Sequence, residues 1–151
     1  MFNDFLATFS QQLTPQMWGV VATATYETIY ISFASTLLAV VVGVPVGVWT
    51  FLTGKNEILQ NNRTHFVLNT IINIGRSIPF IILLLILLPV TRFIVGTVLG
   101  TTAAIIPLSI CAMPFVARLT ANALMEIPNG LTEAAQAMGA TKWQIVCKFY
   151  L

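Results

Sequence analysis

Long apolar runs separated by short polar stretches make up most of the first 119 residues. The first clear run covers residues 29–52 and contains no charged side chain. As a helix rising ~1.5 Å per residue, it would extend about 36 Å, more than the ~30 Å hydrocarbon core of a bilayer. Residues 66–90 and 102–119 form a second and a third run. The pattern predicts three membrane-spanning helices, joined by a polar loop at 53–65 and a short turn or re-entrant piece at 91–101.

Prolines interrupt the second and third runs. A proline removes one backbone N–H donor, so Pro79, Pro107 and Pro114 predict kinked or broken helices. Transporters place such helices around a translocation path, although a kinked helix that only packs against its neighbours explains the two prolines of the third run equally well. Arg76 also has two interpretations. Snorkelling or structural pairing near the helix end is preferred, and the alternative is a guanidinium that lines a substrate or gating path.

Two glycines of the first run, Gly43 and Gly47, are four residues apart. Small residues at this spacing let a second helix approach closely. Glycine is also common in membrane helices, so the spacing can arise by chance. The sequence leaves both explanations open.

Composition excludes an ordinary soluble domain. The chain is 57% hydrophobic and 8% charged, whereas soluble domains average roughly 45–50% apolar and about 25% charged residues. A net charge of +2 without a basic cluster gives no support for nucleic-acid binding. Residues 1–28 are assigned to an N-terminal extracytoplasmic or interfacial segment. Because no Lys or Arg precedes Trp18, we interpret its start as an uncleaved leader rather than a cleaved signal peptide.

Basic residues are distributed unevenly between the two sides that three crossings would create. One side holds the 53–65 loop and everything after residue 119, and the other holds the N-terminus and the 91–101 turn. The first side carries five basic residues and the second carries one: Lys55, Arg63, Arg118, Lys142 and Lys148 against Arg92. The positive-inside rule therefore predicts a cytoplasmic 120–151 segment and an external N-terminus.

The sequence contains no recognisable catalytic constellation. It has no phosphate-binding loop of the Gly-x-x-x-x-Gly-Lys type and no nucleophile–histidine–carboxylate set. His65 is the single histidine, and we interpret it as a solvated loop residue rather than a metal ligand. Cys111 and Cys147 should lie at different depths and remain unbridged. We therefore expect a non-enzymatic chain with no metal and no cofactor of its own.

The segment from residue 126 to 151 is amphipathic. The apolar residues of its first part fall at helical spacing: Leu131, Ala134, Ala135 and Met138. Gly139 should end that helix. Thr141 and Gln144 have the spacing of a capping box, so a second short helix is predicted to begin there. Trp143 beside Lys142 suits either a protein interface or a helix lying on the lipid surface, and composition alone does not choose between them.

Part of this segment resembles a known motif. Glu133-Ala134-Ala135, three residues, then Gly139 and Ala140 resembles the "EAA" loop by which the membrane-spanning subunits of bacterial ATP-binding cassette importers dock on their ATPase. Residues 73–83 and 89–97 resemble the methionine-importer permeases in particular. The resemblance departs from the family pattern at Phe149, where Ile is usual, and at Leu151, where the Leu-Pro that closes the loop is incomplete.

The resemblance implies an all-α membrane protein, a kinked bundle of the type I importer permease kind. It implies a second permease copy, two cytoplasmic ATPase subunits that bind ATP, and an extracytoplasmic binding protein or lipoprotein. The residues expected to dock the ATPase are Glu133, Ala134, Ala135, Gly139, Ala140, Thr141, Lys142 and Trp143. Those considered for the path or its gate are Arg76, Ser77, Pro79, Pro107 and Pro114.

The sequence thus favours an inner-membrane permease subunit that transports an amino acid, with D- or L-methionine as the preferred substrate. Permeases of this family continue after the loop, so we expect a five-span subunit of which three spans are present. A truncated, non-transporting interaction subunit is the alternative from another class. Within the importer class, another amino acid or a small osmolyte is the alternative substrate.

Overall fold

A computed structural model describes residues 15–55, 57 and 59–146. Within these residues the chain is helical and has no β-strand, which confirms the predicted all-α class. The described part of the chain contains six helices in succession: α1 (Pro15–Leu52), α2 (Asn62–Ser77), α3 (Phe80–Val95), α4 (Thr101–Met125), α5 (Asn129–Ala137) and α6 (Lys142–Ile145). Residues 17–52 of α1, and α4, are long and apolar enough to cross a bilayer.

The register between α1 and α4 shows that the two helices run in the same direction. Gly43 lies against Met113 and Val116, and Gly47 lies one turn further against Ala117 and Thr120. A Cβ added to Gly47 would be 2.5 Å from the Ala117 carbonyl oxygen. Contact this close is possible only without a side chain, so the glycine pair has a packing role.

The broken helix pair α2–α3 lies between α1 and α4 in the sequence, and it brings the chain back so that these two helices can run in the same direction. Gly75 packs against Pro114, and Arg118 Nη2 donates a hydrogen bond to Asn73 Oδ1 at 2.6 Å, so α2 is antiparallel to α4. α2 and α3 meet at a bend of 106°. The predicted kink at Pro79 is therefore a complete break, and a bend this sharp makes the pair either a broken span or a re-entrant loop.

The helices extend beyond the predicted apolar runs. α1 begins at Pro15 and includes Glu27, and α4 continues to Met125. The expected boundaries followed the loss of apolar character, which marks the bilayer edge, whereas helical hydrogen bonds continue as long as the backbone can make them. The 91–101 turn is correspondingly shorter: α3 continues to Val95 and ends at Gly96, whose φ is 81°.

The start of α2 corrects the prediction for His65. This residue lies in the first turns of α2, partly buried, and not in a solvated loop. Its Nδ1 is 2.9 Å from the carbonyl oxygen of Thr50 near the end of α1. Asn61 caps α2, because its side-chain oxygen accepts from the amides of Arg63 and Thr64 at 3.2 Å each. In the loop between α1 and α2, burial raises the pKa of the Glu57 carboxyl.

Candidate coupling segment and path residues

The two short helices α5 and α6 meet at Gly139 in a defined helix-ending motif. Gly139 has a φ of 80°, the left-handed conformation that glycine adopts without strain. The amide of Ala140 donates to the carbonyl oxygen of Ala135 at 3.0 Å, which is the six-residue bond of a Schellman motif. The Gly139-Ala140 pair of the motif therefore has a local structural reason: it ends α5 and turns the chain towards α6.

A reciprocal capping box starts α6, as the sequence predicts. The backbone amide of Thr141 donates to Gln144 Oε1 at 2.8 Å, and the amide of Gln144 faces Thr141 Oγ1 at 3.4 Å. The backbone of Lys142 and Trp143 lies in α6, but their side chains fall outside what the structure describes. Residues 147–151, with the second cysteine and Phe149, also lie outside the described residues.

Buried side chains attach this coupling segment, residues 126–146, to the ends of the two parallel helices. Ala135 is 1% exposed and Ile145 is fully buried. They belong to one apolar cluster with residues from α1, α4 and the end of α6: Val48, Phe51, Leu52, Leu124 and Val146. A displacement of α5 and α6 would therefore act directly on the ends of α1 and α4.

The apolar stripe predicted for α5 is divided between two environments. Ala135 faces the cluster, whereas Leu131, Ala134 and Met138 are exposed, Met138 to 79%. Glu133 is exposed as well. Sequence spacing places the four apolar residues on one side of the helix, but it does not show that the ends of α1 and α4 cover only Ala135. The exposed part is available to a partner.

The residues considered for the path are separated by the structure. Arg76 and Ser77 are exposed at the end of α2, and Pro79 lies in the break before α3. Pro107 is buried, and Pro114 contacts Gly75. Of the two forms predicted, kinked or broken, a break is excluded, because α4 is continuous from Thr101 to Met125 with both prolines inside it. For Pro114 the structure supports the packing interpretation.

Side-chain contacts between distant parts of the chain were not predicted. The bond between Asn73 and Arg118 joins residues 45 positions apart. Asn69 Oδ1 and Thr91 Oγ1 are buried and have no hydrogen-bond partner among the described residues. The one available signal was the presence of asparagine and arginine inside a membrane-spanning run, because such residues need a polar neighbour.

Gly139→Ala should lower the free energy of unfolding by about 1 kcal/mol, because a Cβ at positive φ is strained even where space is free. Gly130→Ala is the matched control: Gly130 lies in α5, and an added Cβ at either position has nothing within 4 Å. The control should be neutral or slightly stabilising. Thermal unfolding of the purified chain in detergent checks both, and equal melting temperatures would exclude strain at Gly139.

A bundle of long apolar helices, two of them parallel and joined at one end by a helix–glycine–helix segment, is the architecture of a membrane-spanning transport subunit. The chain belongs to the family of binding-protein-dependent transport system inner membrane components, whose sequence profile matches residues 43–151. The predicted family is thereby confirmed.

Two curated relatives illustrate the similarity. One, from Haemophilus influenzae, is named a probable D-methionine transport system permease protein, MetI, and is 97% identical over 135 residues. The other, from Escherichia coli K12, is named D-methionine transport system permease protein MetI and is 49% identical over 137 residues. The matches cover 89% and 91% of this chain but 63% of either relative.

The fold is also similar to a solved structure, an inward-facing conformation of the MetNI methionine ABC transporter. The TM-score is 0.89 at 46% sequence identity, and the match covers 92% of this chain and 64% of the other. A second crystal form of that transporter gives a TM-score of 0.90 over the same shares. The helix arrangement described above is thus similar to that of about two thirds of a chain of this ABC transporter.

Proposed function

We propose that this chain is a permease subunit of an ATP-binding cassette importer that carries methionine across the inner membrane. In this proposal the N-terminus is external, the coupling segment is cytoplasmic, and a separate ATPase subunit binds and hydrolyses ATP. A second permease copy and an extracytoplasmic binding protein complete the assembly. The family description, which names transport dependent on a binding protein, and the methionine in the names of the relatives support this assignment.

The observation that carries the proposal is the division of the apolar stripe of α5 between two environments. Ala135 fixes the helix to α1 and α4, whereas Leu131 and Met138 of the same stripe are exposed, as is Glu133. An apolar centre with a charged neighbour is what protein interfaces favour. A partner that moved on this surface would transmit its motion to both helices through the buried cluster.

The docking role is tested on the chain co-expressed with the ATPase and binding protein of a methionine importer. Leu131→Asp combined with Met138→Asp places two charges on the exposed side of α5 and should abolish co-purification of the ATPase. Leu59→Asp is the matched control, because Leu59 is 47% exposed in the loop between α1 and α2. Full retention of the ATPase by the double variant would contradict docking through α5.

The substrate is tested separately by uptake of labelled D- and L-methionine into cells that lack other methionine importers. We expect uptake in cells that express the three components and none when the ATPase is omitted. Uptake of another amino acid with no competition from methionine would remove the methionine assignment while leaving the docking result in place.

A further inference from the structure

Four polar side chains follow one face of α2 in a membrane-spanning part of the chain. Asn69, Asn73, Arg76 and Ser77 stand at i, i+4, i+7 and i+8, which is helical spacing, and we call them the polar stripe. Ser77 Oγ donates to the carbonyl oxygen of Asn73 at 2.8 Å. Arg118 of α4 is bonded to Asn73 at 2.6 Å, so a second guanidinium joins the stripe one turn from Arg76.

Two registers place Arg76 inside the membrane-spanning part of the bundle. Because Gly75 contacts Pro114, Arg76 lies level with about residue 113 of α4, about 9 Å from the end of the apolar run at residue 119. Gly43 of α1 lies at the same level, about 14 Å from the end of the apolar run at residue 52. An arginine side chain spans about 7 Å, so snorkelling does not carry this guanidinium past the end of either run.

The side of α2 that suits lipid is not the side that carries the polar stripe. Its large exposed apolar side chains Val67, Ile71 and Ile74 lie away from the polar stripe, whereas Phe66, one turn before Asn69, is on the same side as the stripe. A third side, with Ile72 and Gly75, is packed against the rest of the chain. α2 therefore has one side suited to hydrocarbon, one buried side, and one polar side that is exposed at Asn73, Arg76 and Ser77 and partly buried at Asn69. A guanidinium on the exposed polar side requires water or a polar partner, since hydrocarbon supplies neither.

These 151 residues offer no carboxylate at that depth. The acidic residues are Asp4, Glu27, Glu57, Glu126 and Glu133, and none lies between 58 and 125. A second copy of the same sequence would bring none either. An anion that pairs with Arg76 at this level must therefore come from outside this sequence.

We propose that the polar stripe lines a water-filled translocation path and that Arg76, with Arg118 beside it, binds the carboxylate group of the transported amino acid. A guanidinium has five N–H donors in a planar fork that matches a carboxylate. Arg118 already uses one donor on Asn73, which fixes its position, whereas Arg76 is exposed. The identity of the substrate rests on the function proposed above, but the positive, hydrated surface does not.

The surface is tested by cysteine labelling of the assembled importer in membrane vesicles, without ATP. Cys111 and Cys147 are first replaced by serine. Ser77→Cys should react with the charged sulfonatoethyl and trimethylammonioethyl methanethiosulfonates. Ile71→Cys, on the exposed apolar side almost opposite the polar stripe, should not, because the reactive thiolate does not form in hydrocarbon. Unreactive Ser77→Cys, or equal reactivity at both positions, would overturn the lining role.

The charge is tested by the ratio of the two labelling rates at Ser77→Cys. With Arg76 present, the anionic reagent should be favoured, and Arg76→Gln should lower the anionic-to-cationic ratio on the order of tenfold. Arg76→Lys keeps the charge and should preserve most of the ratio. A ratio that does not change with Arg76→Gln would overturn the anion site.

The ligand is tested by protection of the same cysteine. Methionine should slow labelling of Ser77→Cys, and methioninamide, which lacks the carboxylate, should not. Equal protection by both, or by neither, would overturn the carboxylate assignment. The labelling rates need neither ATP nor uptake, so a failure of methionine transport in cells would leave the hydrated cationic surface intact and would count against the proposed function alone.

Discussion

We expect Gly47→Ala to lower the stability of the bundle by about 3 kcal/mol, the upper part of the range for overpacking. The added Cβ would lie 2.5 Å from the Ala117 carbonyl oxygen and 2.7 Å from Thr120 Cβ. A backbone oxygen cannot rotate away as a side chain can, so α1 and α4 would have to separate. The gain in helix propensity from glycine to alanine is at most about 1 kcal/mol and does not offset this.

Alanine substitutions at two other glycines of α1 should lower the melting temperature less than Gly47→Ala does. A Cβ at Gly43 would meet Val116 Cβ at 2.8 Å, Val116 Cγ1 at 2.9 Å and Met113 O at 3.0 Å, a wider contact than the 2.5 Å at Gly47, whereas a Cβ at Gly19 would have nothing within 4 Å. Melting temperatures of the purified chains should therefore fall in the order Gly19→Ala, Gly43→Ala, Gly47→Ala. Equal melting temperatures for Gly47→Ala and Gly19→Ala would show that α1 and α4 are not in close contact.

The sequence alone predicted the parts of this structure that depend on local chemistry. Three runs free of acidic residues, the capping box of Thr141 and Gln144, and the corner at Gly139 follow from residue type and spacing within one turn or one span. The close approach at Gly43 and Gly47 was left open, because spacing shows that a second helix can approach but not that one does. The contact with α4 shows that Gly43 and Gly47 have a packing role.

What the sequence could not supply is the relation between distant segments. The bond between Asn73 and Arg118 depends on the register of α2 against α4, which no local pattern specifies. The same register sets Arg76 level with about residue 113 of α4, which the sequence-based preference for snorkelling or structural pairing did not take into account. The break at Pro79 ends α2 within the apolar run 66–90, so a helix end and the end of an apolar run are different places in this chain.

The two neighbouring alanines of the motif should separate folding from docking. Ala135→Glu places a carboxylate in the apolar cluster around Ile145 and should destabilise the coupling segment by about 3 kcal/mol or more, because that charge would have no partner in an apolar site. Ala134→Glu changes an exposed residue and should alter stability by no more than about 0.5 kcal/mol. Thermal unfolding of both purified chains measures the difference.

Docking should respond to both alanine variants, for different reasons. The Ala134→Glu chain should fold normally but no longer bind the ATPase, because a second carboxylate beside Glu133 would occupy the exposed side of α5. The Ala135→Glu chain should also lose the ATPase, because its coupling segment no longer packs on α1 and α4. Ala135→Ser is the milder companion variant, because a hydroxyl keeps the volume nearly unchanged; it should retain both properties in part. A folded Ala134→Glu chain that still co-purifies with the ATPase would contradict docking through the exposed residues of α5.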